Sequence, residues 1–304
     1  MAETAIVTGA YGFLGRHLAR ALALEGHTVI GIGHGDWSQA QWRSWGLAAW
    51  HRSDVTTHVL AALDRPSAVF HCAGGSSVAF SLANPAQDFS RTVGTTLAVL
   101  EFLRRHAPRA ALVIPSSAAV YGAVRQVPIG VEGPFNPVSP YGAHKKMTED
   151  LCHSYARHFG ARIALVRLFS VYGIGLRKQL LWDACIKLAA GDGHFGGHGG
   201  EIRDWLHVED AARLLIVAAR HASPACPAVN GGTGEGVTVR DVLTELLAAM
   251  APSALLEFSG TARPGDPDSY VANIAGARAW GWSPREDRTA ALRAYASWFT
   301  AGAA

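Results

Sequence analysis

Short apolar runs alternate with amphipathic stretches through the first half of the chain. Ala5–Thr8, Thr28–Ile32, Ala68–Cys72 (AVFHC), Ala111–Pro115 (ALVIP) and Ile163–Leu168 read as strands buried on both faces, each bounded by turn residues. Between them, Leu14–Leu24, Thr95–His106 and Tyr141–Phe159 carry helical periodicity. That alternation predicts βαβ crossovers and a doubly wound parallel α/β sheet, which takes ligands at the carboxyl ends of its strands. The pattern loosens after about Ser170. Gly191–Gly200 reads as a loop or hairpin tip, and Asp210–Arg220, Val237–Met250 (with Thr238 as its cap) and Asp287–Phe299 read as helices. The expected division is a main domain over residues 1–167 plus about 205–232. A smaller, partly interleaved C-terminal lobe takes about 168–204 and 233–304.

Composition narrows the class. The 304 residues are 49% hydrophobic and 17% charged, enough for a large core, with a net charge of only +3. Lys and Arg are scattered, which argues against a nucleic-acid partner and leaves room for a few cations facing an anionic ligand. The cysteines, Cys72, Cys152, Cys185 and Cys226, form no metal or disulfide pattern and read as reduced, mostly buried thiols. No apolar run is long enough to span a bilayer and no leader precedes the first strand, so the expectation is a cytoplasmic protein without a membrane partner.

The first βα turn is glycine-rich: Gly9-Ala-Tyr11-Gly12-Phe13-Leu14-Gly15-Arg16. Glycines at this spacing permit a tight turn, close approach of a pyrophosphate, and close helix–strand packing, while the helix N-terminus offers N–H groups to phosphates. The turn predicts a Rossmann-like dinucleotide site that includes Tyr11, Phe13 and Leu14. The second strand ends in Gly33-His34-Gly35-Asp36, without an acid directly at its end. With His34 nearby and Arg16 suited to a 2′-phosphate, NADP is expected over NAD. The alternative is that Asp36 still reaches the ribose.

Tyr141 and Lys145 stand four apart after Pro140, on one face of a helix start. An ammonium beside a phenol favours the phenolate, the form a proton-handling tyrosine needs, and Lys145 can also bond the nicotinamide ribose. Upstream, the strand Ala111–Pro115 runs into the pair Ser116-Ser117, where a hydroxyl can hold a substrate oxygen.

With TGAYGFLG (8–15), FHCAG (70–74), PSSAAVYG (115–122), SPYGAHK (139–145), RLFSVYG (167–173), RDWLHVEDAA (203–212) and ARPGDP (262–267), the chain resembles the extended short-chain dehydrogenase/reductases, in their nucleotide-sugar epimerase/dehydratase/reductase branch. The resemblance implies Ser117, Tyr141 and Lys145 as catalytic residues. It also implies Asp54 and Val55 at the adenine, Ala73 and Gly74 along the cofactor, and Ser76, Ser117, Ser170, Arg203, Arg263 and Tyr270 at a nucleotide-diphosphate sugar. Arg203 and Arg263 suit a diphosphate, though a salt bridge is the other reading of Arg203. Arg177 and Lys178 are further candidates in the same cleft. It further implies a homodimer through helices over 85–106 and 139–160.

Departures from the family pattern matter as much. Ala118 and Ala119 stand where dehydratases carry an Asp-Glu pair, so dehydration is disfavoured, and Ala119 also replaces the Cys of enzymes that epimerise C3 or C5. Hydride transfer at C4 is left. A 4-ketoreductase is the expectation, since the acid usual in epimerases is missing after the second strand; an NDP-sugar 4-epimerase is the alternative. A non-catalytic dinucleotide sensor and a non-sugar ketoreductase stand further off. The Tyr270 ring would disfavour an N-acetyl sugar, and Thr92 stands where relatives often have Asn. His194 and His198 lack partners in sequence for a metal set, so no metal is expected. Trp37, Trp42, Trp45 and Trp50 read as packing over the sheet edge.

Overall fold

The computed structural model describes residues 3–124, 126–250, 255–261 and 268–302. Seven parallel strands form the main sheet: β1 (Thr4–Thr8), β2 (Thr28–Gly33), β3 (Leu47–Arg52), β4 (Ala68–His71), β5 (Ala111–Ser117), β6 (Arg162–Leu168) and the strand Ala228–Gly231. Their spatial order is Ala228–Gly231, β6, β5, β4, β1, β2, β3. The order reverses between β1 and β4, and this switch point opens the crevice where such sheets bind ligands.

Alternation along β1 shows how the layers form. Ala5 and Val7 pack on one face with Leu18 and Leu22 of the helix Phe13–Leu24 and with Leu214 and Leu215 of the helix Val208–His221. Ile6 points the other way, onto Val99, Leu100 and Leu103 of the helix Thr95–His106 and onto Cys152 and Ala156 of the helix Pro140–Phe159. Truncating one such leucine to alanine costs about 2–5 kcal/mol, which holds the strand ends in register beneath the crevice.

A separate core lies in the C-terminal part of the chain, where Leu181, Leu188, Leu243, Leu246 and Tyr295 meet. Small sheets tie it to the main one: Ser170–Tyr172 pairs with Trp205–His207, and Ile202–Arg203 pairs with both Val237–Thr238 and Ser269–Tyr270.

Most elements fall where the periodicity places them. The exceptions are instructive. The strands β3 and Ala228–Gly231, which the apolar pattern does not reveal, are the two edges of the sheet. The helix expected from Val237 starts at Val239, because Val237–Thr238 is a strand; Thr238 caps it, its Oγ1 accepting from the N–H of Asp241 at 3.0 Å. Within Gly191–Gly200, His194–Phe195 pairs with Glu257–Phe258. The four cysteines are free, and three are buried. Among the described residues no helix is long and apolar enough to cross a membrane.

Candidate active site

The glycine-rich turn is shaped by contacts that exclude side chains. Gly9 has φ +68°, and a Cβ there would stand 2.7 Å from the Ala73 nitrogen; one at Gly15 would stand 2.3 Å from the Gly9 oxygen. β1, β4 and the following helix therefore approach as closely as glycine allows. The helix Phe13–Leu24 begins at Gly12 with no side chain capping its N–H groups. An open helix N-terminus over a close-packed turn fits the pyrophosphate of a dinucleotide.

At the end of β2, His34 pairs with Asp54 at 3.0 Å, and Asp36 is turned to Arg52 at 3.2 Å. Arg16 does not line the cleft. Its Nε donates to the carbonyls of Tyr11 and Gly12 at 3.2 and 3.3 Å, and its guanidinium lies over the rings of Tyr11, Trp37 and Trp45.

The corner that holds Ser117, Tyr141 and Lys145 is built by β5 and the helix Pro140–Phe159. Ser139 caps that helix, accepting from the Gly142 N–H at 3.2 Å, and Pro140 fills its first position. The Tyr141 N–H donates to the Ser81 hydroxyl at 3.0 Å, fixing the first turn. Lys145 donates to the Pro115 carbonyl at 3.1 Å and its Nζ lies 5.9 Å from the Tyr141 ring centre. Ser117 ends β5, and its Oγ accepts from the Ala119 N–H at 3.2 Å. Ala118 and Ala119 follow in a single 3₁₀ turn that brings methyl groups, with no acid–base function, to the cleft wall.

On the opposite wall, Lys178 donates to the Ser76 hydroxyl at 2.6 Å; burial lowers its pKa. The Ser170 N–H donates to the Asp204 carbonyl at 3.0 Å. Arg203 donates to the Ile202 carbonyl at 2.8 Å. The Tyr270 hydroxyl donates to the Gly122 carbonyl and lies 3.2 Å from the Ala118 carbonyl, which braces the turn after Ser117; burial pushes its pKa up to about 12.

All of these faces meet in one cleft of about 2030 Å³. It gathers Gly9, Tyr11, Gly12, Phe13, Leu14 and Gly15 with His34, Asp54, Val55, Ala73 and Gly74, and with Ser76, Ser117, Tyr141, Lys145, Ser170, Arg203 and Tyr270. Of the expected site residues, Arg16 lies outside the lining, and Arg263 lies outside the described residues.

Sequence reasoning missed His71 and Asp88, which support this cleft, and named Thr92 only as a departure from the Asn frequent in relatives. His71, at the end of β4, bonds Thr8 Oγ1 at 2.7 Å and Thr95 Oγ1 at 3.3 Å; burial, then the Lys145 charge, push its pKa down to about 3. Thr92 Oγ1 accepts from the Gly75 N–H at 2.8 Å from within a π-helical turn, Ser90–Gly94. Asp88, fully buried, holds His144 at 2.6 Å. Strand ends, the π-turn and the short helix Pro85–Phe89 bring these residues together, and none of them leaves a clear mark on periodicity. Among the described residues no three His, Cys, Asp or Glu side chains converge as a metal set would.

The comparisons follow the geometry. A UDP-glucose 4-epimerase of Azospirillum brasilense is 30% identical, over 96% of this chain and 91% of its own length. A UDP-glucuronate 4-epimerase of Arabidopsis thaliana is 26% identical, over 97% of this chain and 76% of its own. The structure of Thermus thermophilus UDP-glucose 4-epimerase, solved with NAD, superposes with a TM-score of 0.86 at 25% identity, covering 98% of this chain and 99% of that one. Residues 5–230 match the family model described as the NAD dependent epimerase/dehydratase family, and the chain belongs to that family of extended short-chain dehydrogenase/reductase enzymes.

Proposed function

We propose that the protein is an NAD-retaining 4-epimerase of a UDP-hexose. The observation that carries the reading is the cleft corner itself: Ser117, Tyr141 and Lys145 converge while Ala118 and Ala119 supply no second acid–base pair. The curated relatives reported above are 4-epimerases, which favours this reading over the reductase expected from the sequence. The NADP expectation likewise finds no support. The family model is NAD dependent, the Thermus relative was solved with NAD, and Arg16, the residue that suggested a 2′-phosphate, is turned onto aromatic rings.

Gly9, Gly12 and Gly15 hold the cofactor's pyrophosphate, Ala73 and Gly74 flank its path, and Lys145 holds its nicotinamide ribose. NAD supplies a reversible hydride acceptor at C4. Tyr141 takes the C4 hydroxyl proton and later returns it, contributing about 10²–10⁴-fold as a positioned acid–base group. Ser117 holds O4 against Tyr141, and the Lys145 charge favours the phenolate. Arg203, Arg263, Lys178 and Ser76 are proposed to face the diphosphate and sugar across the cleft. Residues about 168–204 and 233–304 serve as the substrate lobe. Exposed apolar side chains, Phe89 on the helix Pro85–Phe89, Leu97 on Thr95–His106 and Met147 on Pro140–Phe159, suit a homodimer.

The test is incubation of purified protein with UDP-glucose, and separately UDP-glucuronate, without added cofactor, followed by NMR of the C4 proton. Interconversion of the 4-epimers is expected. No interconversion, with NADPH consumed on a 4-keto-sugar instead, restores the reductase.

A further inference from the structure

In this fold the adenosine ribose lies at the end of β2, where an acid binds its 2′-hydroxyl and a nearby arginine accommodates a 2′-phosphate. The chain has an arginine close to that corner and withholds it. The Arg16 guanidinium stands 5.3, 5.6 and 5.5 Å from the ring centres of Tyr11, Trp37 and Trp45. Its Nε and Nη2 donate to main-chain carbonyls of the glycine-rich turn. Burial among these rings disfavours its charge.

The Tyr11 ring is placed by a specific fit. It meets Trp37 edge-on at 5.1 Å, and Trp37 meets Trp50 of β3 at 5.3 Å. Beneath it lies Gly35: a Cβ there would fall 1.9 Å from Tyr11 Cγ. The ring therefore sits on the backbone just past β2, directly on the ribose corner. The acids near the end of β2 are both paired with neighbouring cations, Asp54 with His34 at 3.0 Å and Asp36 with Arg52 at 3.2 Å.

We infer that Tyr11, seated on Gly35 and holding Arg16 behind it, selects NAD against NADP in this protein. The inference rests on the NAD reading above. A 2′-phosphate would meet the Tyr11 ring where it needs space, and an arginine whose Nε and Nη2 already donate to main-chain carbonyls. A ribose 2′-hydroxyl brings neither that bulk nor that charge. Tyr11 and Arg16 thus act on cofactor choice and not on the sugar chemistry.

The experiment reads binding, so it can fail independently of the epimerase assay. Purified protein is incubated with equal excesses of NAD and NADP, desalted, and denatured, and the released nucleotides are quantified by mass spectrometry. The parent protein is expected to retain NAD over NADP by roughly tenfold or more, about 1.4 kcal/mol per tenfold. Tyr11→Ala is expected to narrow that ratio at least severalfold by opening the corner and freeing Arg16. Gly35→Ala, which displaces the ring without removing it, is expected to narrow it as well and guards against a folding defect peculiar to one variant. Arg16→Ala added to Tyr11→Ala is expected to take away the NADP binding gained. Ratios unchanged in both Tyr11→Ala and Gly35→Ala overturn the inference. So does a parent protein that retains NADP and loses it on Arg16→Ala.

Discussion

Ser116 and Ser117 are neighbours, and so are His144 and Lys145, yet each pair is divided between two environments. Ser117 and Lys145 face the cleft, where their protein partners are main-chain groups, the Ala119 N–H and the Pro115 carbonyl. Ser116 and His144 face the interior and are bound to buried acids: Ser116 donates to Glu149 at 2.5 Å, and His144 pairs with Asp88 at 2.6 Å. Glu149 in turn takes Arg167 at 2.9 Å, and Arg167 donates to the Tyr121 hydroxyl at 3.0 Å. Burial works against the Arg167 charge, and Glu149 more than restores it, so its pKa is raised. One face is left available to a ligand, and the other is engaged in buried hydrogen bonds and ion pairs. The available face is the one proposed to carry chemistry, while the buried one joins β5, β6 and the helix Pro140–Phe159.

The comparison is sharpened most by Tyr141→Phe. Turnover is expected to fall about 10²–10⁴-fold with the melting temperature and retained NAD unchanged, checked by NMR rates, calorimetry and nucleotide release. A large loss of stability would break the division between the faces. Glu149→Ala is the reverse case. It leaves the Arg167 guanidinium buried without its acid, and about 3–5 kcal/mol of stability is expected to go, read by urea unfolding.

The serines make a finer contrast. Ser116→Ala is expected to cost about 1–3 kcal/mol of stability, because Glu149 loses a donor. Ser117→Ala is expected to lower kcat while leaving the unfolding midpoint in place. Equal effects from the two would show that the strand does not separate them.

The smallest effect belongs to His71, whose folded pKa of about 3 lies below the ordinary imidazole value. A depressed folded pKa means that the unfolded chain binds the proton first. The stability His71 contributes is present above about pH 6.5 and drains as pH falls towards 3, by at most about 1.4 kcal/mol per pH unit. Urea midpoints at pH 7.5 and 5.5 are expected to differ less in His71→Gln than in the parent protein.

The two edge strands explain what sequence periodicity does not reveal. β3 reads LAAWHR, with Ala48 and Arg52 exposed, and Ala228–Gly231 is only four residues long. β3 is covered less completely than a central strand, so its apolar signal is weaker, and Ala228–Gly231, though buried, is a short run that ends in Asn230 and Gly231, whereas β1, β5 and β6 are buried on both faces and carry long apolar runs. The site follows the same rule. Gly9, Gly12 and Gly15, and Tyr141 with Lys145, could be singled out because their spacing along the chain is itself the local geometry, and Ser117 because its motif resembles the family's. Arg16 was misleading, since a guanidinium near a phosphate site is chemically suitable wherever it points.

From the sequence alone follow the α/β alternation, the glycine-rich turn and the Tyr141–Lys145 pair, which rest on local periodicity and spacing, with Ser117 added by the resemblance. The tertiary structure decided that Ser116 turns inward to Glu149, that His144 is held by Asp88, and that Arg16 is spent on Tyr11, Trp37 and Trp45. Those outcomes depend on residues far apart in sequence competing for the same donors, faces and space, and only packing settles such a competition.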